Sequence, residues 1–155
     1  MRRIAAPAAA AAALLFALAL PAAAQVTVTD AWARATVAGQ KATGAFMQLN
    51  SATDAALVGA ASPVAKVVEI HEMKMESGVM KMAAVGKLPL PAGKPVALAP
   101  GGYHVMLMDL TQPLKEGETI PLTLSVADAA GRVTKVEVRA AVRALTATPA
   151  APKKP

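Results

Sequence analysis

Lys66-Val67-Val68-Glu69-Ile70-His71-Glu72-Met73-Lys74-Met75-Glu76-Ser77-Gly78-Val79-Met80-Lys81-Met82-Ala83-Ala84-Val85 decides the reading of this chain. Apolar and polar residues alternate on both sides of Ser77-Gly78, a period of two that belongs to a pleated strand rather than a helix. Ser-Gly suits a two-residue hairpin turn, which needs a residue that tolerates positive φ. If Glu76 pairs with Val79, Met75 lies opposite Met80 and Met73 opposite Met82. Alternation then puts His71, Met73, Met75, Met80 and Met82 on one face, and Glu72, Lys74, Glu76 and Lys81 on the other.

The same short alternating pattern recurs along the chain, bounded each time by Gly, Pro, Asn or Asp. Val26–Thr29 with Ala31–Arg34, Gly44–Asn50, Ala55–Ala60, Lys66–Met75, Val79–Val85, Pro95–Leu98, Tyr103–Leu110, Thr119–Ala127 and Val133–Val142 read as strands. Leu88-Pro89-Leu90-Pro91-Ala92-Gly93 and Ala99-Pro100-Gly101-Gly102 read as turns. No stretch beyond the first residues has helical periodicity. Strands of this length and spacing predict an all-β fold, an antiparallel β-sandwich or barrel.

The first 24 residues read as a secretory signal. Arg2 and Arg3 precede an Ala/Leu/Phe run, Pro21 breaks it, and Ala22-Ala23-Ala24 offers the small-residue cleavage site before Gln25. No cysteine follows the run, which argues against a lipid-modified anchor. The remaining 131 residues fit one domain, residues 25–145, followed by an Ala/Thr/Pro/Lys tail at 146–155 that reads as disordered. A complete lack of cysteine removes disulfides, thiolate metal sites and thiol–disulfide exchange from the possible functions. The net charge of +6 falls to 12 basic against 10 acidic residues once Arg2, Arg3, Lys153 and Lys154 are set aside. Those charges are scattered and aromatic residues are few, so no nucleic-acid surface is expected. With the signal removed, no stable membrane insertion is expected either.

Both histidines of the chain stand in a His-x-Met, at His71-Glu72-Met73 and His104-Val105-Met106. Six of the eight methionines fall between residues 73 and 108. Thioether sulfur is a soft neutral donor that suits Cu(I), whereas magnesium and calcium require oxygen and zinc sites are built from thiolate, imidazole and carboxylate. Imidazole with thioether therefore predicts a monovalent copper site. A blue-copper electron carrier needs a cysteine ligand and is excluded.

The interval between the two units carries a pattern: His71, ten residues, Met82, twenty-one residues, His104, one residue, Met106. This resembles the H-x10-M-x21-H-x-M motif of the periplasmic copper chaperones known as the PCu(A)C family. Asp30-Ala31-Trp32-Ala33-Arg34, Gly78-Val79-Met80-Lys81-Met82, Pro100-Gly101-Gly102-Tyr103-His104-Val105-Met106-Leu107-Met108 and Leu114-Lys115-Glu116-Gly117 are similar to further segments of that family. The resemblance spans roughly residues 27 to 142. It implies a cupredoxin-like β-sandwich, one Cu(I) per chain, and His71, Met82, His104 and Met106 as ligands. It implies a monomeric periplasmic protein that delivers copper to the CuA site of cytochrome c oxidase subunit II, with a Sco-type copper protein as a further partner. A copper-buffering or resistance protein without a dedicated acceptor is the alternative. Some members hold a second copper on a His- and Met-rich tail; Thr146–Pro155 has neither residue.

The other residues near the motif have plainer expected roles. Met47, Met75, Met80 and Met108 read as flexible core fillers, while Met73 shares the ligand face and stands between ligand and filler. Trp32 reads as core and Tyr103 as packing. Glu72, Glu76 and Asp109 read as solvated carboxylates.

Overall fold

A computed structural model describes residues 25–149, so the expected signal segment and the last six residues of the expected tail lie outside the described residues. Ten strands and no helix are present among them. They are β1 (Val26–Arg34), β2 (Ala42–Ser51), β3 (Ala55–Ala61), β4 (Ala65–Glu76) and β5 (Val79–Ala84). Then follow β6 (Leu88–Leu90), β7 (Val96–Leu98), β8 (Tyr103–Leu110), β9 (Thr119–Asp128) and β10 (Val133–Arg143). The hydrogen-bonded path is β5-β4-β8-β2-β1-β10-β9-β3-β6, with β7 beside β2. Pairing is antiparallel throughout except for β1 with β10, which run parallel.

β3 also packs against β4, which lies near the other end of the path, so the sheet rolls over on itself. The enclosed core contains Leu57, Leu90, Leu98, Val105, Leu107, Leu122, Leu124 and Val126, all essentially removed from water. With no disulfide available, apolar burial at about 25 cal/mol per Å² has to supply the main stabilisation.

The all-β expectation holds, and two local readings change. The first is Leu88–Leu90, expected as part of a proline-rich turn. It forms β6 on β3 and buries both leucines, which the sequence hides because Pro89 lacks the N–H a central strand needs. An edge strand tolerates that loss, since only one side of it is paired.

The second is the face on which Trp32 lies. In β1 the register to β2 slips by one residue between Thr29 and Trp32, and Asp30 has φ 50°. A one-residue bulge exchanges the faces of everything beyond it. Val26 and Val28 pack on the core before the bulge, and Ala33 and Ala35 after it. Trp32 and Arg34 are thereby turned onto the outer face. Trp32 is 1% exposed, yet it is outside the main apolar core. The Arg143 guanidinium, 5.2 Å from the Trp32 ring, pairs with the Asp30 carboxylate at the bulge.

Candidate metal centre

The expected hairpin is present in the expected register. Glu76 pairs with Val79, Met75 with Met80 and Met73 with Met82, and both Ser77 and Gly78 have positive φ, as a type I′ turn requires. Next to it, β4 and β8 are aligned so that His71 lies directly across from His104. The two imidazoles meet edge to face with centroids 5.8 Å apart. On the far side of β8, Phe46 stands 6.2 Å from the His104 ring, and Trp32 is paired with Phe46 at 4.7 Å. One cross-strand row thus runs Trp32, Phe46, His104, His71 over four strands. The bulge in β1 is what places Trp32 in it.

Two residues further along β8, on the same face, is Met106, whose neighbour on β2 is Gly44. A Cβ at Gly44 would come within 2.9 Å of the Phe46 ring, so glycine there lets that ring lie flat beside the metal face. Arg34 stacks over both rings, 5.5 Å from Phe46 and 5.9 Å from Trp32. A cleft of about 230 Å³ opens on this face, lined by Met73, Met82, His104 and Met106 with Arg34 and Phe46 among its walls. His71 does not line the cleft itself; it stands behind His104 with its side chain 12% exposed.

Each imidazole is held through one nitrogen. His71 Nε2 is 2.8 Å from the Glu69 carboxylate, two residues back on the same face. A carboxylate accepts, so the neutral ring carries its proton on Nε2 and its lone pair on Nδ1. That Nδ1 is buried and has no hydrogen-bond partner. For His104 the choice is reversed: Nδ1 donates to the Gly102 carbonyl at 3.1 Å, leaving the lone pair on Nε2. The same carbonyl accepts the backbone N–H of Met73 at 3.1 Å, so one atom orients a histidine on β8 and anchors β4. Gly102 is placed by a type II turn, with Pro100 at its second position, Gly101 at φ 86° and a bond from Gly102 N–H to the Ala99 carbonyl.

Burial holds the His104 imidazole below the usual histidine range; the Gly102 carbonyl opposes that shift and nearby His71 adds to it. A neutral ring with an available lone pair is the form that binds a metal. Among the described residues no three of His, Cys, Asp and Glu converge on one point. The donor set at this face is soft and uncharged, which favours a monovalent, polarisable ion.

Of the four motif residues, Met82, His104 and Met106 line the cleft together with Met73, and His71 stands against His104 behind it. Of the methionines expected as core fillers, Met47 is buried in the core and Met108 half-buried. Met75 and Met80 are corrections, 66% and 45% exposed on the hairpin, because β5 has no strand beyond it to pack against. Glu72 is a smaller one: its side chain is 17% exposed and paired with Lys74 at 3.0 Å. It lies in register with Tyr103 and holds the phenol above its ordinary value. Glu76 and Asp109 are solvated as expected. Reading residues singly missed Glu69, Phe46 and Arg34; the signal for Glu69 was its place two residues before His71 on the alternating strand.

Residues 26–141 match the family described as “Putative lipoprotein LpqE-like”. Protein Lxx21020 of Leifsonia xyli subsp. xyli, which carries the same lipoprotein description, is 35% identical over 115 residues, covering 74% of this chain and 69% of its own. Among solved structures, the apo PCuAC domain of PmoF2 is similar with a TM-score of 0.63 and 28% identity, over 81% of this chain and 94% of that one. The Cu(I) form of DR1885 from Deinococcus radiodurans, solved in solution, is similar with a TM-score of 0.52 and 34% identity, over 82% and 81%. The chain belongs to the LpqE-like family, and its domain has the cupredoxin-like fold of the PCuAC proteins.

Proposed function

We propose that this protein is a Cu(I) carrier that binds one ion through His71, Met82, His104 and Met106, with Met73 at hand in the same cleft. The observation that carries this reading is the paired orientation of the histidines. Glu69 and the Gly102 carbonyl each take one N–H, and the nitrogens left as donors, one of them buried without a partner, belong to rings that touch beside a thioether-lined cleft. The copper-loaded structure of a 34% identical protein supports it. X-ray absorption on the Cu(I)-loaded protein tests it: mixed sulfur and nitrogen neighbours are expected, and a shell of oxygen and nitrogen alone overturns it.

A carrier has to release what it holds. Thioethers are neutral, individually weak ligands, and the site lies at a surface cleft with Met82 48% exposed. An acceptor docked there exchanges ligands one at a time. Delivery to the CuA site of cytochrome c oxidase subunit II, with a Sco-type protein as a second partner, is the role we assign; copper buffering without a dedicated acceptor is the rival. Deleting the gene distinguishes them. Loss of oxidase activity that added copper restores supports delivery, while copper sensitivity with a normal oxidase supports buffering. The signal-like start and the lipoprotein description of the relatives support export, and we place the protein in the periplasm. The chain has no cysteine to carry a lipid anchor.

Two further outcomes are expected. Protons compete with copper for the two imidazole lone pairs, so Cu(I) affinity falls as pH drops through the histidine range. An affinity that stays flat between about pH 7.5 and 5 in a competition titration is incompatible with imidazole ligation. The apo protein follows the same direction. His104 titrates lower when folded than the roughly 6.5 of an unfolded chain, so its contribution is complete above that value and is lost as pH falls through the folded value. Secondly, Glu69→Gln removes the carboxylate that orients His71 while keeping its size. Cu(I) affinity is expected to drop by about 10- to 100-fold, the usual effect of losing a partner behind a metal-bound histidine.

A further inference from the structure

The methionine row does not end at the cleft. Beyond the Met73–Met82 pair, Met75 and Met80 face each other on the same side of the hairpin, two residues nearer its tip. Two residues along a strand advance about 7 Å, within reach of a flexible four-atom thioether chain swinging from one pair to the next. Met75 and Met80 lie outside the core: they are 66% and 45% exposed, whereas Met47 in the core is 2% exposed.

The opposite face of the hairpin is charged and internally neutralised. Lys74 pairs with Glu72 at 3.0 Å and Lys81 with Glu76 at 2.7 Å. No carboxylate shares the thioether face beyond His71, so nothing there favours a hard ion or Cu(II). The positive-φ turn at Ser77 and Gly78 fixes the register that keeps Met75 opposite Met80.

We propose that Met75 and Met80 form an outer, weaker thioether site for Cu(I), through which the ion passes between an acceptor or donor and the cleft. The inference rests on the carrier reading given above. As the ion moves outward, its Cu–S and Cu–N bonds in the cleft break one at a time while bonds to the Met75 and Met80 sulfurs form, and these break in turn as bonds to the acceptor form. Copper remains Cu(I), and no electron moves, because thioether and imidazole are neutral ligands before and after. The rival role for these side chains is an apolar contact patch. Leucine separates the two, since it keeps the volume and apolar area of methionine and removes the sulfur lone pairs.

The test is a titration of the protein carrying 13C-labelled methionine methyl groups, with anaerobic Cu(I) as the probe. The first equivalent is expected to shift the Met82 and Met106 methyls, and the second those of Met75 and Met80. In Met75→Leu/Met80→Leu the first equivalent binds as before, affinity for the second falls at least about tenfold, and transfer of the first to a competing Cu(I) chelator slows by a similar factor. Unchanged second-equivalent binding and transfer in the double variant overturn the outer site. Loss of neither Cu(I) equivalent but slower docking-dependent transfer in an alanine pair alone assigns Met75 and Met80 to apolar contact and also overturns it. Failure of the wild-type protein to bind a first equivalent at Met82 and Met106 overturns the carrier reading itself, a result distinct from either of these.

Discussion

His104→Asn is expected to lower Cu(I) affinity by at least about 100-fold, beyond the effect of losing a residue that merely orients a ligand. Asparagine is chosen because its amide nitrogen occupies the place of Nδ1 and can still donate to the Gly102 carbonyl, 3.1 Å away in the native protein. What disappears is the Nε2 lone pair. The aromatic row from Trp32 and Phe46 keeps His104 4% exposed, so water cannot substitute readily for the missing nitrogen. A chelator competition at pH 7.5 gives the affinity, and X-ray absorption should record one fewer nitrogen neighbour. An affinity within about threefold of the native protein, less than 1 kcal/mol, removes His104 from the ligand set. The variant should also lose most of the rise in melting temperature that copper confers, since that rise scales with the logarithm of ligand concentration over Kd.

Leu107→Ala is expected to do the converse. Leu107 is one residue beyond Met106 on β8 and points to the other side of the sheet, where it is wholly buried in the core. Truncating a leucine in such a place costs about 2–5 kcal/mol through lost transfer free energy and the cavity left behind. Against a total of about 5–15 kcal/mol for a domain, that is a large fraction. The melting temperature should fall by on the order of 10 °C. Affinity of the folded protein for Cu(I) should stay within a few-fold of native, and copper should raise the melting temperature by a similar increment in both. A loss below about 1 kcal/mol in denaturant unfolding contradicts the packing described for this face. The pair of variants uses the pleat of a single strand: His104 and Met106 lie on the metal side of β8, Val105 and Leu107 on the core side.

Much of this was legible beforehand, for reasons that differ from element to element. The β4–β5 hairpin could be placed to the residue because a two-residue turn leaves one register and alternation then fixes both faces. β8 could be placed because Pro100-Gly101-Gly102 opens a clean alternating run that ends before Thr111-Gln112-Pro113. β6 was not legible, since proline argues against a strand wherever the neighbours are unknown. Trp32 is buried as expected, but its place on the outer face beside Phe46 was hidden, because the one-residue register slip after Thr29 and the positive φ at Asp30 are properties of the folded backbone. The exposure of Met75 and Met80 was equally hidden, because whether a strand is an edge depends on the whole sheet.

The sequence by itself determined the period of every long strand, the donor chemistry and the spacing His71, Met82, His104, Met106, since these depend only on side-chain identity and on residues close along the chain. The tertiary structure alone decided which strands became neighbours. His71 meets His104 because β4 and β8 pair across 33 positions of chain, and such pairing is set by how the entire core closes. The tautomers are a local matter, since Glu69 and the Gly102 carbonyl, each two residues before its histidine, choose which nitrogen of each ring is free through hydrogen bonds of 2.8 and 3.1 Å. Only the pairing of β4 with β8 brings the two oriented rings to 5.8 Å from one another.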